Sequence, residues 1–188
     1  MNKNLLIVLG VIIAVVVIAG GWMISGYNRV ITMDESVKTA WAQVENQLKR
    51  RYDLIPNLME TVKGYAGHEK EVFEHLADAR TKYFQAPDVK GKIEASGDLE
   101  RALSRLLMLQ ETYPQLKANE TFLKMMDSLE GTENRISVER KRYNDAVRTL
   151  NTYIRTVFGR FFAGLAGVGK ADYYQIPEAE KAAPKVKF

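Results

Sequence analysis

The chain of 188 residues contains no cysteine, two histidines and five prolines. Without cysteine it can form no disulfide, no thiolate nucleophile and no thiolate metal site. No segment has the alternating pattern of a strand, so no glycine-rich phosphate loop follows one. No nucleophile–base pair suggests itself either. We therefore expect a protein that is not an enzyme and that holds no cofactor.

The sequence also has little net charge. It carries 27 Lys and Arg against 23 Asp and Glu, a formal charge of +4. Its basic runs alternate with acidic residues and lack the interleaved aromatics of a nucleic-acid site, so we expect no nucleic-acid partner. An apolar fraction of 46% is enough for one domain with a packed core.

The apolar residues are concentrated near the amino terminus. Leu5–Ile24 is a run of 20 residues without a charge. A helix of that length spans roughly 30 Å, the thickness of a bilayer's hydrocarbon core. The alternative is a cleaved signal peptide, with Lys3 as its basic end and the small residues 19–21 as its cleavage site. We favour the uncleaved span because the apolar run continues past that site. The predicted segments are a short tail at 1–4 and a transmembrane helix at 5–24.

The flanks of the span bear on its orientation. Trp22 and Tyr27 resemble the aromatic belt of a membrane interface. Positive charge is nearly balanced, with Lys3 on one side and Arg29 and Lys38 on the other. A short basic tail ahead of an apolar run usually stays inside. We therefore expect a single-pass protein whose remaining chain is extracytoplasmic.

Residues 25–158 have the heptad pattern of long amphipathic helices. One series of apolar residues, seven apart, is Phe122, Leu129, Ile136, Tyr143, Leu150 and Val157. A second series, with one charge, is Val30, Val37, Val44, Arg51, Leu58 and Tyr65. Two long helices with two short ones between them, joined by short loops, predict an all-α fold. The expected arrangement is an elongated antiparallel four-helix bundle after the transmembrane helix.

Helix-breaking residues predict the boundaries. Pro56 lacks an N–H and should kink or split the first helix near residues 52–54. The other expected boundaries are a second helix from about His68 to Phe84, a loop over 86–97, a third helix capped by Ser96 or Asp98, and a fourth starting at Pro114 or Asn119.

Charges interrupt the two long helices at matching levels. An antiparallel register that pairs residue 30 with residue 157 places Arg51 near Glu133 and Arg140. We expect these three side chains to form a buried polar cluster. A register-setting polar layer and a proton or ion site both fit this arrangement. We favour the polar layer because no carboxylate pair with shifted pKa values accompanies the arginines.

The same register brings two basic runs near each other. We expect Lys49, Arg50, Lys141 and Arg142 to form a basic surface for an acidic or membrane-protein partner. The alternative is an ordinary solvated face.

The segment 159–174 is rich in glycine, and the bundle topology returns it to the membrane. We expect Trp22, Tyr27, Phe158, Phe161, Phe162 and Leu165 to be membrane-proximal. This segment either lies in the membrane interface or packs against the long helices as a plug. Residues 175–188 are predicted to be a flexible tail.

One trio deserves comparison with metal sites. His68, Glu71 and His75 lie on one helical face, but they lack the i, i+4 histidine pair of a zincin. We expect no metal there, because His68 and Glu69 fit a helix start equally well.

Several motifs in the sequence resemble the LemA family. They are Tyr27-Asn28; Trp41; 47–58, which contains Leu54-Ile55-Pro56-Asn57-Leu58; 60–66; His68-Glu69; 113–119; Phe122; 132–136; Tyr143-Asn144; Tyr173-Tyr174; and Pro184-Lys185-Val186. The resemblance implies a bacterial envelope protein with a helical-bundle domain and no established enzymatic activity, and we expect it in the inner membrane. Because relatives include a magnetosome-membrane protein, it also implies membrane shaping or assembly. Two departures are Ile24-Ser25-Gly26, which lacks the lipobox cysteine of many relatives, and Gly159, where relatives often have proline.

Three hypotheses follow for function. The first is a membrane-anchored scaffold that forms homo-oligomers, favoured by the heptad seams and by the small residues Gly10 and Ala14 in the span. The second is an adaptor that presents its helical domain to a membrane protease, transporter or assembly machine. The third, a metal-dependent hydrolase using the His68 trio, has the least support.

Overall fold

The structure is a computed structural model that describes residues 3–175. The expected flexible tail lies, from residue 176 onward, outside the described residues, as do the first two residues of the expected amino-terminal tail. Within residues 3–175 the secondary structure is helical, and no strand occurs there. The all-α fold is therefore confirmed for this part of the chain.

Six α-helices and one short 3₁₀ helix make up the described chain. Helix α1 is unbroken over Lys3–Tyr52, so the apolar run and the polar residues after it belong to one helix. The following elements are α2 (Ile55–Ala66), α3 (Lys70–Gln85), α4 (Val89–Thr112), the 3₁₀ helix (Pro114–Ala118), α5 (Glu120–Arg155) and α6 (Val157–Ala166).

Two predicted boundaries coincide with those of the structure. Helix α1 ends at Tyr52 and α2 starts at Ile55, with Pro56 in its first turn, where the missing N–H breaks no helical bond. Asn119 caps α5, because its Oδ1 accepts from the backbone N–H of Phe122 at 2.9 Å.

The predicted loop over 86–97 is wrong. Helix α4 starts at Val89, because Asp88 is its cap and accepts from the backbone N–H of Gly91 at 2.7 Å. The two glycines in this stretch lower helix propensity by only about 1 kcal/mol each, which a good cap and packing offset. Ser96 and Asp98 lie inside the helix and do not cap it.

The chain divides into two compact units, each of which contains part of α1 and part of α5. The first unit comprises residues 3–39 and 145–171, and the second comprises 40–144 and 172–175.

In the first unit, α6 packs against α1. Val30, Phe162 and Ala163 form its buried centre, and Tyr153 and Ile154 lie against them. Gly26 allows this packing, because a Cβ there would overlap the Phe162 ring.

In the second unit, α1 and α5 contact each other and run in opposite directions. The rings of Trp41 and Tyr143 lie 5.5 Å apart, and farther along α1 Arg51 meets Glu133, which lies earlier in α5. The four-helix bundle as a whole stays a prediction. Large apolar side chains fill the interior: Leu48, Ile55, Leu58, Leu76, Leu99, Leu103, Leu106 and Phe122 are each buried.

The junction between α5 and α6 of this chain leaves no space for a Cβ at position 159. Thr156 caps α6 by accepting from the N–H of Gly159 at 3.0 Å, and a Cβ on Gly159 would overlap the carbonyl oxygen of Tyr153. The glycine therefore allows a close approach at this turn.

Replacing Gly159 by alanine should destabilise α6. We expect Gly159→Ala to lower stability by about 1–3 kcal/mol through overpacking and to speed tryptic cleavage at Arg160 of the detergent-solubilised protein. Gly164→Ala is the matched control on the same helix, because nothing lies within 4 Å of its added methyl group. Equal cleavage of the two variants would contradict the required close approach.

Candidate functional site

A charged centre joins three helices of the second unit. Arg51, at the end of α1, is only 8% exposed. Its Nη2 lies 2.9 Å from a carboxylate oxygen of Glu100 on α4, and its Nη1 donates to Glu133 on α5. A buried guanidinium with two carboxylates fixes how these helices meet, because removing either acid leaves the cation less compensated.

The two carboxylates differ in their surroundings. The Glu100 side chain is 23% exposed and that of Glu133 is 49% exposed. Glu100 also accepts a hydrogen bond from the Tyr52 hydroxyl at 3.2 Å. Glu100 is therefore the more deeply integrated partner of Arg51.

The structure brings Arg51 and Glu133 together, but it places Arg140 elsewhere. The Arg140 guanidinium lies 4.7 Å from the centroid of the Tyr174 ring, as a cation–π pair. Sequence reasoning missed Glu100, because the register arithmetic paired the two long helices alone. Glu100 supplies a second carboxylate next to Arg51, which the expected cluster lacked. Arginine stays protonated in proteins, so the centre holds a fixed positive charge between the acids.

A second cluster binds the chain after α6. Asn144 on α5 accepts from the backbone N–H of Tyr174 at 2.8 Å and donates to its carbonyl at 3.0 Å. The Tyr174 hydroxyl shares a 2.7 Å hydrogen bond with Ser96, and Tyr143 donates to the carbonyl of Asp172 at 2.7 Å. Tyr174 is 7% exposed, so this returning segment is part of the core of the second unit.

Within the first unit, Asn151 binds the chain in the same way. It donates to the carbonyl of Ala171 at 2.9 Å and accepts from its N–H at 3.0 Å. Sequence reasoning named Asn144 only as part of a family motif, and it missed the role of both asparagines. The available signal was their spacing of seven residues, which puts Asn144 and Asn151 on one face of α5.

Buried phenols lie in the second unit, and one of them, Tyr52, donates to Glu100 of the charged centre. Burial raises the pKa of Tyr143 to about 12, and nearby Asp172 adds to the effect. Burial also raises the pKa of Tyr52 and of Tyr83, whose rings pack edge to face 4.8 Å apart. The Tyr83 hydroxyl has no hydrogen-bond partner among the described residues. These phenols are therefore kept neutral by the fold.

Removing the carboxylates of the charged centre should have unequal effects. We expect Glu100→Gln to lower the free energy of unfolding by about 1–3 kcal/mol, and Glu133→Gln by less than about 1 kcal/mol because Glu133 is half exposed. Glu60→Gln is the control, since Glu60 pairs with Lys63 on the exposed surface of α2. Urea unfolding of the solubilised protein measures all three, and an equal effect of the first two would contradict the burial argument.

Alkaline pH should unfold the protein through its phenols. A pKa raised in the folded state means that stability is complete below about pH 10, the value for an unfolded tyrosine. It then falls as the pH rises through about 12, the folded value for Tyr143. Thermal unfolding at pH 9 and pH 11.5 measures this fall, and Tyr143→Phe should make it shallower. A melting temperature that is the same at both pH values would overturn the expectation.

The residues expected near the membrane lie in the first unit. The Trp22 ring contacts Phe158 at 5.2 Å and Phe162 at 5.0 Å between centroids. Phe162 is buried, whereas Phe161 and Leu165 are more than half exposed. Tyr27 is 38% exposed. The structure thus brings Trp22 and two phenylalanines of α6 together.

The two basic runs lie at different levels of the second unit. Lys49 and Arg50 are exposed in the last turn of α1, where cations interact favourably with the helix dipole. Lys141 and Arg142 are exposed beside Tyr143, which contacts Trp41. Trp41 precedes Lys49 by eight residues, so the runs are offset by roughly 12 Å along α1. Arg142 also pairs with Glu139 at 2.7 Å.

The residues of the His68 trio lie at the start of α3 and in the turn before it. His68 lies in the turn before α3, while Glu71 and His75 belong to that helix. Glu69 accepts from the Tyr113 hydroxyl at 3.0 Å, and this hydrogen bond raises the pKa of Tyr113. Residues 3–175 contain no group of three or more His, Asp or Glu side chains placed to hold a metal.

Comparison with known proteins identifies the family. The profile of the LemA family matches residues 40–188. The chain belongs to the LemA family. This confirms the resemblance seen in the sequence motifs.

Curated relatives include magnetosome proteins. MamQ 2 and MamQ 1 of Paramagnetospirillum magneticum are each 29% identical over 175 residues, which cover 79% of this chain and 64% of theirs. Protein LemA of Metamycoplasma hominis is 21% identical over 155 residues, covering 82% of this chain and 71% of its own. This LemA-family chain thus spans less than two thirds of the length of the magnetosome relatives.

The apolar part of α1 agrees with this relationship. Among the described residues, α1 is the one helix that is long and apolar enough to cross a membrane. Its most apolar stretch has a mean hydropathy of 2.8, and none of that stretch is buried. Family membership and this helix together indicate a membrane-associated helical protein.

Proposed function

We propose that this LemA-family protein is a non-enzymatic scaffold, anchored in the bacterial inner membrane by α1, that self-associates and organises or shapes the membrane. Its polar domain is proposed to be extracytoplasmic. The relatives named as magnetosome proteins support a role at a membrane, and the proposal carries that role to this chain.

The observation that carries the proposal is the uncovered apolar surface of α1. Its large apolar side chains from Leu6 to Ile24 are between 39% and 71% exposed. No other part of the described chain lies within 4 Å of a Cβ built on Gly10, Gly20 or Gly21. Lipid covers such a surface, and small residues allow two spanning helices to approach closely.

Self-association should be visible in native membranes. We expect a membrane-impermeant amine cross-linker, added to spheroplasts, to trap dimers and larger species of the full chain, because the domain carries many exposed lysines. If only a membrane-permeant reagent traps oligomers, the result supports self-association but places the domain on the cytoplasmic side. A strictly monomeric band with both reagents, and in mild detergent, would overturn the scaffold.

The adaptor is a second candidate, favoured by the exposed cations Lys49 and Arg50. Arg51 is buried and paired, so it does not belong to a partner surface. Pull-down from solubilised membranes with a Lys49→Glu, Arg50→Glu double variant separates the two functions. Loss of a partner with oligomers intact supports the adaptor, and loss of neither contradicts it. The control is Lys90→Glu with Arg135→Glu, two exposed cations on other helices.

A further inference from the structure

We propose that α6 is a second membrane contact, inserted through its outer face into the interfacial layer of the bilayer beside the span of α1. The contact chemistry is a lipid surface, with anionic headgroups favoured. The inference rests on the membrane anchoring in the proposed function, but it is independent of self-association.

The inner face of α6 is already occupied. Phe162 and Ala163 are 1% and 2% exposed, and Gly159 is buried. Phe162 packs on α1 at Gly26 and Trp22. One face of this short helix is therefore packed on α1, as the plug alternative expects of these residues.

The opposite face of α6 is apolar and uncovered. Val157 is 83%, Phe158 61%, Phe161 54% and Leu165 58% exposed. At 3.6 residues per turn these four side chains fall within an arc of about 100°, on the side of the helix opposite Ala163. Four large apolar side chains on one face form a patch of the kind that marks an interaction site.

The position of this patch selects lipid as its occupant. Phe158 and Phe162 contact Trp22, which lies in the last turn of the uncharged run Leu5–Ile24. The outer face of α6 is thus continuous with the apolar surface of α1, at the end where that surface must meet the headgroups. Aromatic rings are favoured at this depth.

The charges of the segment agree with an interfacial position. Arg160 is the one charged residue within α6, and it is exposed at the side of the apolar face. Arg155 precedes the helix and Lys170 follows it, and both are exposed. Long cationic side chains keep their charge at the headgroups while their stems cover apolar surface. A helix of ten residues is short for independent binding, but its tether to α1 makes insertion an intramolecular step.

Insertion beside the span adds apolar volume to one leaflet alone. Such asymmetric insertion makes binding sensitive to curvature and lipid composition. The contact therefore gives a physical route from anchoring to membrane shaping.

The absence of cysteine permits a direct test. Single variants Phe161→Cys and Leu165→Cys of the full chain are labelled with a bimane fluorophore and reconstituted into phosphatidylcholine–phosphatidylglycerol vesicles. Because both side chains are exposed, the variants should keep the native circular dichroism spectrum. Met108→Cys on α4 is the matched control, since Met108 is an apolar side chain with 61% exposure in the second unit.

Quenching decides between the possible surroundings. We expect iodide in the water to quench the two α6 labels with a constant about tenfold below that of the Met108 label, and nitroxide lipids labelled near the headgroup to quench them strongly. Equal iodide quenching at all three positions would overturn the proposal. Protection from both quenchers would also overturn it, in favour of a protein cover.

Dilution separates this inference from self-association. At one protein copy per vesicle, quenching by the nitroxide lipids should be unchanged even if no oligomer forms. Protection from iodide that disappears on dilution would assign the outer face of α6 to a second copy and would refute lipid insertion.

Discussion

The burial of one arginine constrains the second unit. Arg51 ends α1 with its guanidinium inside the protein, where an unpaired charge would cost several kcal/mol. Its two carboxylates come from α4 and α5, so three helices must be in place before the charge is compensated. The neighbouring Tyr52 donates a hydrogen bond from its hydroxyl to Glu100, and its ring packs edge to face with that of Tyr83. The surrounding leucines supply most of the stabilisation, but leucines can pack in many arrangements. The fixed position of the Arg51 charge permits fewer of these arrangements.

The first unit follows a different constraint. Its large apolar side chains from Leu6 to Ile24 are at least 39% exposed, whereas α6 covers α1 near Val30. The arrangement is intelligible when the surroundings include lipid. A fold that leaves so much apolar surface open needs an external partner as part of its stability.

The sequence predicts those features that depend on neighbours in the chain. The break before Pro56 and the cap at Asn119 are local, and both occur as expected. Five of the six predicted seam residues, from Phe122 to Leu150, are buried on α5, whereas Val157 belongs to α6 and is 83% exposed. The start of α4 is local too, but its prediction was wrong, because the helix-breaking residues in 86–97 indicated a loop. Register arithmetic between two long helices was enough to bring Arg51 and Glu133 together. It could not supply Glu100, because the rotation of a third helix about its axis depends on packing that no spacing rule contains.

The docking of the returning segment was likewise beyond sequence reasoning. Tyr174 is separated from Ser96 by 78 positions, and the intervening chain turns at Gly167, whose φ of 67° is the left-handed conformation that glycine adopts without strain. Nothing in the local pattern around Tyr173-Tyr174 distinguishes a docked aromatic from a membrane-facing one. The buried hydroxyl of Tyr174 and the two hydrogen bonds made by the Asn144 side chain show that Tyr174 is docked.

The two asparagines recognise the returning chain by its backbone. Asn144 and Asn151 each satisfy one N–H and one carbonyl, and neither bond involves a side chain of the segment that they hold. Recognition of this kind tolerates drift at the held positions: Ala171 can be exchanged for many residues without loss of its hydrogen bonds. The held backbone is therefore fixed by the two asparagines, and the side chain at position 171 is free to vary.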